Sequence, residues 1–293
     1  MKLSTQEITT VIDRASTRLA EYCMENNLHN TVTGVSGGLD SAVTIALSQK
    51  ASYLAGQKGH QLNSLGLILP CHSDPDHAVL AKKVITQVGA ELIEIDLTGV
   101  FDFVEKAVLK PVSDALTEYH TADNEVRYRS SQGNVKARLR MALGTYYVAN
   151  QINGLVLSTD NYSELLMGFW TLHGDVGDFG MIQNLWKGTE LLQVAQALEI
   201  LPEIIDAAPT DGLGVSEGGD EAQLGAKYPE VDHILRTLME HGIDLDGAMD
   251  QLKNLPTIDG IDPELVKKIA QRALGNSFKR HHPNNLSRED LGL

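Results

Sequence analysis

Val35-Ser36-Gly37-Gly38-Leu39-Asp40-Ser41-Ala42 decides how this chain is read. A short β-compatible run, Thr31-Val32-Thr33-Gly34-Val35, leads into it, and an apolar run, Ala42-Val43-Thr44-Ile45-Ala46-Leu47, leads out. Strand, glycine turn and helix start together present backbone N–H groups to an anion. Adjacent glycines lack a Cβ, so the backbone can take positive φ and come close to a phosphate. The helix N-terminus adds unpaired N–H groups and a partial positive charge. Ser36 and Ser41 add hydroxyls, and Asp40 offers a carboxylate able to hold Mg²⁺ beside phosphates. The loop is neither the G-x-x-x-x-G-K-[ST] phosphate loop nor the dinucleotide fingerprint G-x-G-x-x-G.

Outward from this loop, β-like runs recur at Ser64–Pro70, Glu91–Leu97 and Gly154–Asp160, with helical spacing over Asp76–Val84. That alternation predicts an α/β fold: a doubly wound parallel sheet with right-handed crossovers and helices on both faces. Ligands of such sheets bind at the carboxyl ends of the strands. The glycine loop, Cys71-His72-Ser73-Asp74 and Thr159-Asp160 all fall there. Phe101 to Gln132 reads as a polar excursion, expected to be partly mobile around Thr121–Glu125. Beyond Lys187 the pattern is mostly helical, with helices expected at Thr189–Leu198 and Tyr228–Glu240 and a proline- and glycine-rich stretch between them. No internal repeat is present, and residues 1–293 are expected to form a single domain with a helical C-terminal part.

Acidic residues outnumber basic ones by 39 to 24, a net charge of −15, and the isoelectric point is near 5.0. Such a chain repels nucleic-acid backbones at long range, so nucleic acid is not an expected partner. The N-terminus opens an amphipathic helix, with Ile8, Val11, Ile12, Ala15 and Leu19 at helical spacing, rather than a signal peptide. No apolar run is long enough to span a bilayer, so no membrane partner is expected. Two distant cysteines, Cys23 and Cys71, suit neither a disulfide framework nor a zinc site. These features together predict a cytoplasmic protein.

The loop resembles the Ser-Gly-Gly-x-Asp-Ser pyrophosphate loop of the N-type ATP pyrophosphatases, which cleave ATP between the α and β phosphates and transfer AMP to an oxygen. Later stretches narrow the resemblance. They are Asn134-Val135-Lys136-Ala137-Arg138-Leu139-Arg140-Met141, Ser158-Thr159-Asp160-Asn161-Tyr162-Ser163-Glu164, Gly168-Phe169-Trp170-Thr171-Leu172-His173-Gly174-Asp175, Leu185-Trp186-Lys187 and Pro209-Thr210-Asp211-Gly212-Leu213. In order and spacing they are similar to the N-x-K-A-R-x-R-M, G-T-D-H-A-A-E, T-G-F-F-T-K-x-G-D-G-G, L-x-K and P-T-A-D-L of the ammonia-dependent NAD synthetases. The match runs from about Ser36 to Arg280.

This resemblance implies an adenine nucleotide alpha hydrolase-like fold and ATP-dependent amidation of deamido-NAD with ammonia. ATP would be bound by Val35, Ser36, Gly37, Gly38, Leu39, Asp40, Ser41, Thr159, Lys187 and Thr210. Asp40, Lys187 and Thr210 would be the catalytic set, and Asp40 and Glu164 would hold Mg²⁺. Arg138, Asp178 and Lys279 would contact deamido-NAD. A homodimer is implied as well, and the apolar-rich segment Met141–Val148 is either its two-fold contact or a core helix.

The chemistry is coherent with these residue types. A carboxylate is a poor electrophile toward ammonia; adenylation gives it a good leaving group, and the protein's share is positioning and charge neutralisation. Taken singly, Lys187 reads as a surface lysine, Glu164 as a first-turn carboxylate favoured by the helix dipole, and Thr210 as a turn or cap residue. Only their joint order carries the function. Departures from the family pattern fall on the acceptor side. Leu172 stands where the family has lysine, Val176 interrupts Gly-Asp-Gly-Gly, and Phe278 replaces a histidine in the tail. Nicotinate mononucleotide is therefore the alternative acceptor. A tRNA-modifying relative and a nucleotide-binding module without chemistry are further alternatives, disfavoured by the charge and by retention of Asp40, Glu164 and Lys187.

Overall fold

The computed structural model describes residues 2–116, 124–209, 219–281 and 288. Helix α1 (Thr5–Glu25) is started by a reciprocal cap in which Ser4 accepts from the Glu7 N–H and Glu7 accepts from the Ser4 N–H. Strand β1 (Asn30–Gly34) follows, then α2 (Leu39–Gln57), β2 (Asn63–Ile68), α3 (Pro75–Val88) and β3 (Glu91–Glu94). Asp74 caps α3 ahead of Pro75, and Gly89 ends it at a φ of 76°.

A long helical run comes next. It comprises α4 (Thr98–Val104), a π-helical turn (Glu105–Leu109) and α5 (Lys110–Ala115). Then α6 (Asn124–Leu139), a second π turn (Arg140–Tyr146) and α7 (Tyr147–Gln151) lead back to β4 (Gly154–Ser158). After β4 the chain forms α8 (Tyr162–Met167), a two-residue strand β5 (Phe179–Gly180), a π turn (Lys187–Leu191), and α9 (Leu192–Ala197). The remaining α-helices are α10 (Pro202–Ile205), α11 (Gly219–Leu224), α12 (Tyr228–Glu240) and α13 (Pro263–Gly275).

The five strands pair in the order β3-β2-β1-β4-β5, all parallel. The expected doubly wound sheet is therefore present, with β5 as an unforeseen edge. One face is covered through Val43, Leu47, Ile85 and Val194 from α2, α3 and α9. The other is covered through Phe101, Met141 and Ala149, which pack on Val32, Leu67 and Val156. A separate apolar cluster joins α8 to α12 and α13 through Met167, Val231, Leu235 and Ile269. This cluster fixes the C-terminal helices against α8, the helix that follows β4.

Three expectations need correction. The excursion from Phe101 is helical as far as Ala115 and again from Asn124. Its apolar stripe is narrow, with Phe101 buried and Leu109 half-covered on the sheet, so polar residues dominate the sequence. Mobility was expected around Thr121–Glu125; residues 121–123 lie outside the described residues, and Asn124 and Glu125 open α6. Strand β3 stops at Glu94, short of Leu97, and Leu92 and Ile93 remain exposed, as suits an edge strand. The helix expected at Thr189–Leu198 begins two residues earlier, as the π turn at Lys187.

Candidate active site

The strand order reverses between β1 and β4, and at that switch point both carboxyl ends open into one cavity. Its walls include Ser36, Asp40, Thr159, Glu164, Lys187 and Asp220. The glycine loop forms the floor and is folded on itself. Ser36 N–H donates to Ser41 Oγ over 3.2 Å, Gly38 N–H donates to Ser36 Oγ over 3.3 Å, and Ser41 Oγ donates to Gly38 O over 3.1 Å. Gly37 sits at a φ of 87°, and a Cβ there would lie 2.4 Å from His77 O, so only glycine lets α3 approach the loop. Helix α2 starts at Gly38 with no side-chain cap, which leaves its first turn to serve an anion.

Above the loop a buried lysine holds the charges together. The Lys187 ammonium lies 3.0 Å from Asp40 Oδ2, 2.7 Å from Glu164 Oε1 and 3.7 Å from Asp220 Oδ2. The Tyr228 ring sits beneath it, 4.4 Å from centroid to nitrogen. The Tyr228 hydroxyl donates to Glu164 Oε1 over 3.1 Å. Burial works to lower the Lys187 pKa, yet Asp40 and Glu164 more than offset it and hold the pKa well above the usual lysine range. Burial raises Glu164, with Lys187 pulling the other way. Asp160, buried at the end of β4, is raised well above the carboxylate range by burial and then by Asp175; its Oδ2 accepts from Ser158 Oγ.

Helix α8 places Glu164 through its cap. Asn161 Oδ1 accepts the Glu164 N–H over 3.0 Å, and Asn161 Nδ2 donates to Asp40 Oδ1 over 2.7 Å. One side chain thus ties the two expected Mg²⁺ ligands to each other. Three acidic groups converge on one lysine in a partly open cavity, and this oxygen-rich excess of negative charge fits a divalent cation. Among the described residues no set of three or more His, Cys, Asp or Glu side chains is arranged to hold a metal. Two carboxylates, Asp40 and Glu164, match the number by which Mg²⁺ is usually held together with substrate phosphates.

Most of the residues expected on the ATP side therefore come together. Thr210 lies outside the described residues. The acceptor-side residues are placed differently. Arg138 is exposed and donates from Nε to Leu172 O over 3.2 Å. Asp178 is exposed and accepts from the Tyr146 hydroxyl over 2.6 Å. The Lys279 ammonium donates to Gly168 O and Trp170 O over 2.8 and 2.6 Å, which clamps the segment leading to Asp175. None of these three lines the cavity. Sequence reasoning passed over Asn161, Tyr228, Asp220 and Asp232. A capping signal, Asn161 followed by Glu164 three residues on, was available for the first.

The fold and the site define a phosphate-binding α/β protein whose charged cluster sits at the switch point of a parallel sheet. The family model described as NAD synthase matches residues 11–283, and the chain belongs to that family. It is 30% identical to the NH(3)-dependent NAD(+) synthetase of Methanosarcina mazei, over 93% of this chain and 97% of that one. The corresponding protein of Pyrococcus furiosus is also 30% identical, over 95% and 96%. Among solved structures, the NMN synthetase of Francisella tularensis superposes with a TM-score of 0.67 at 25% identity, covering 96% of this chain and 97% of that one.

Proposed function

We propose that the chain joins ammonia to the carboxylate of deamido-NAD at the expense of ATP, giving NAD, AMP and pyrophosphate. The observation that carries this reading is the Lys187 ammonium, buried between Asp40 and Glu164 directly above the Ser36–Ser41 loop. ATP bound with its phosphates on the loop brings the α-phosphorus, where the acceptor carboxylate attacks, next to this cluster. Lys187 then stabilises the negative charge gathered on the phosphate oxygens as the bond to pyrophosphate breaks. Asp40 and Glu164 would hold Mg²⁺, which supplies further charge neutralisation as pyrophosphate leaves. Thr159, at the end of β4, would contact ATP, as would Thr210. Arg138, Asp178 and Lys279 would serve the acceptor.

Free ammonia as nitrogen source is supported by the cysteines. Cys23 and Cys71 are both buried, and burial raises both thiols, Cys23 to about 11, so neither suits the nucleophile that releases ammonia from glutamine. A second reading, with nicotinate mononucleotide as acceptor, is favoured by Leu172 and by the likeness to the Francisella NMN synthetase. We further infer that residues 1–293 act as one catalytic domain in the cytoplasm. The chain would work as a homodimer: Val100, Phe103, Val108 and Val112, all exposed along α4, the π turn after it and α5, offer apolar surface to a second copy. Among the described residues no helix is long and apolar enough to cross a membrane.

The deciding experiment incubates the purified chain with ATP and Mg²⁺, and with ammonium chloride or glutamine. It follows AMP, pyrophosphate and amide product with deamido-NAD, nicotinate mononucleotide or no acceptor. NAD formed from deamido-NAD and ammonium is the expected result. Absence of AMP release with every acceptor would overturn the proposal.

A further inference from the structure

Helix α12 carries an acidic residue on its apolar face. Asp232 is 1% exposed and lies among Val231, Ile234, Leu235 and Leu238, all buried. A buried carboxylate is costly unless its oxygens are engaged, and both are. Asp232 Oδ1 accepts from the Ser163 hydroxyl over 2.5 Å, and Oδ2 accepts from the Gly188 N–H over 2.9 Å. The Ser163 oxygen in turn accepts the Lys187 N–H over 3.0 Å. Two consecutive peptide N–H groups, those of Lys187 and Gly188, are therefore fixed by one carboxylate, directly and through one hydroxyl.

The surroundings leave this segment little freedom to shift. A Cβ on Gly188 would lie 2.4 Å from Pro229 N, so the start of α12 presses directly on the backbone that follows Lys187. The same helix begins with Tyr228, whose ring underlies the ammonium. Ser163 directly precedes Glu164, so its hydroxyl bond to Asp232 also ties the first turn of α8 to α12. The π turn that starts at Lys187 packs chiefly on α12 and α9.

Resting on the function proposed above, we propose that Asp232 is the positioning residue for Lys187. Through Ser163 and Gly188 it fixes the backbone from which the lysine reaches Asp40 and Glu164. It touches neither substrate nor the reacting atoms. The clamp sets where positive charge is presented to the α-phosphate, and a displacement of an ångström in such a group costs on the order of a hundredfold in rate.

The test uses the full chain with Asp232→Asn and, separately, Ser163→Ala. Two quantities are measured on each: steady-state kinetics with ATP, deamido-NAD and ammonium, and the rate at which acetic anhydride acylates Lys187, read by peptide mass spectrometry. Lys82, Lys83 and Lys267, each about half exposed, serve as internal standards. The expected result is a kcat lowered roughly ten- to a hundredfold with KM for ATP within about threefold. Lys187 acylation should rise by about tenfold or more while the standards do not change. A merely structural role would leave Lys187 protected. A folded variant with unaltered kcat, or a loss of kcat with Lys187 still protected, would overturn the inference. Ser163→Ala removes one hydroxyl and keeps the Gly188 bond, so it decides the matter should Asp232→Asn fail to fold. A wild-type chain that makes no NAD would sink the proposed function, while the acylation rates would still test the clamp.

Discussion

Asn161 donates from Nδ2 to Asp40 Oδ1 over 2.7 Å while its Oδ1 caps the N-terminus of the helix that carries Glu164. The glycine loop and the β4 loop, 121 residues apart in sequence, meet through this one amide. Its two roles can be separated. Ser caps a helix about as well as Asn, so Asn161→Ser should keep the cap but is too short to reach Asp40, which removes the donor to it. Turnover should fall on the order of tenfold or more, by loss of a charge-assisted hydrogen bond. Asn161→Ala also removes the cap, worth about 0.5–2 kcal/mol, and should melt a few degrees lower. Differential scanning calorimetry beside kcat separates the two, and full activity in the Ser variant would refute the bridge.

Asp40 anchors the other end of that bridge and one side of Lys187. Asp40→Asn keeps the shape but removes the charge that faces the ammonium and the expected Mg²⁺. Turnover should drop by on the order of 10²-fold or more, with the fold intact by circular dichroism. Near-normal turnover in the folded variant would remove Asp40 from the catalytic set.

Much of this was legible in the sequence. The four longer strands follow from β-branched and apolar runs bounded by Gly, Asn and Asp, and the loop between β1 and α2 follows from Gly37-Gly38. Strand β5 was not legible, because two residues inside a glycine-rich stretch carry no periodicity. The three π turns have no residue signature at all. Buried partners such as Asp232 depend on which helix packs on which, and single-chain patterns do not encode that. Asp232 nonetheless left a trace: it falls on the same helical face as Val231, Ile234, Leu235 and Leu238, where an unpartnered carboxylate would be costly. Arg138, Asp178 and Lys279 were found by resemblance alone, and the structure ties each to protein atoms outside the cavity.

Burial, opposed by the Ser163 and Gly188 hydrogen bonds, raises the Asp232 carboxyl from 3.8 to about 6. In the unfolded chain it ionises near its ordinary value, so between those two pH values the folded protein holds more protons at this position. The group's contribution to stability is thus greatest below about pH 4 and is lost as pH rises through about 6. Relative to Asp232→Asn, which cannot ionise there, the wild type should lose on the order of 2–3 kcal/mol between pH 4 and pH 7. Urea unfolding of both proteins at several pH values measures this, and parallel curves would show that Asp232 does not titrate in that range.

The acceptor preference turns on Leu172. A cation at that position would meet a phosphate or carboxylate of the dinucleotide, and a charge-assisted hydrogen bond is worth about 1.5–3 kcal/mol. Here the Leu172 carbonyl instead accepts from Arg138 Nε, so the backbone of this segment is held by the arginine that the family pattern assigns to the acceptor. The neighbouring His173 is exposed, at a φ of 59°. Deamido-NAD still presents a second phosphate and an adenosine that nicotinate mononucleotide lacks, and Arg138 is held on Leu172, in the segment that leads to Asp175. The ratio of kcat/KM for deamido-NAD over nicotinate mononucleotide should therefore exceed one. Leu172→Lys should raise kcat/KM for deamido-NAD about tenfold, by the rule that 1.4 kcal/mol is one decade, and raise it less for the mononucleotide. A wild-type ratio well below one would make the mononucleotide the acceptor, and an unresponsive ratio in the lysine variant would show that position 172 does not face the substrate.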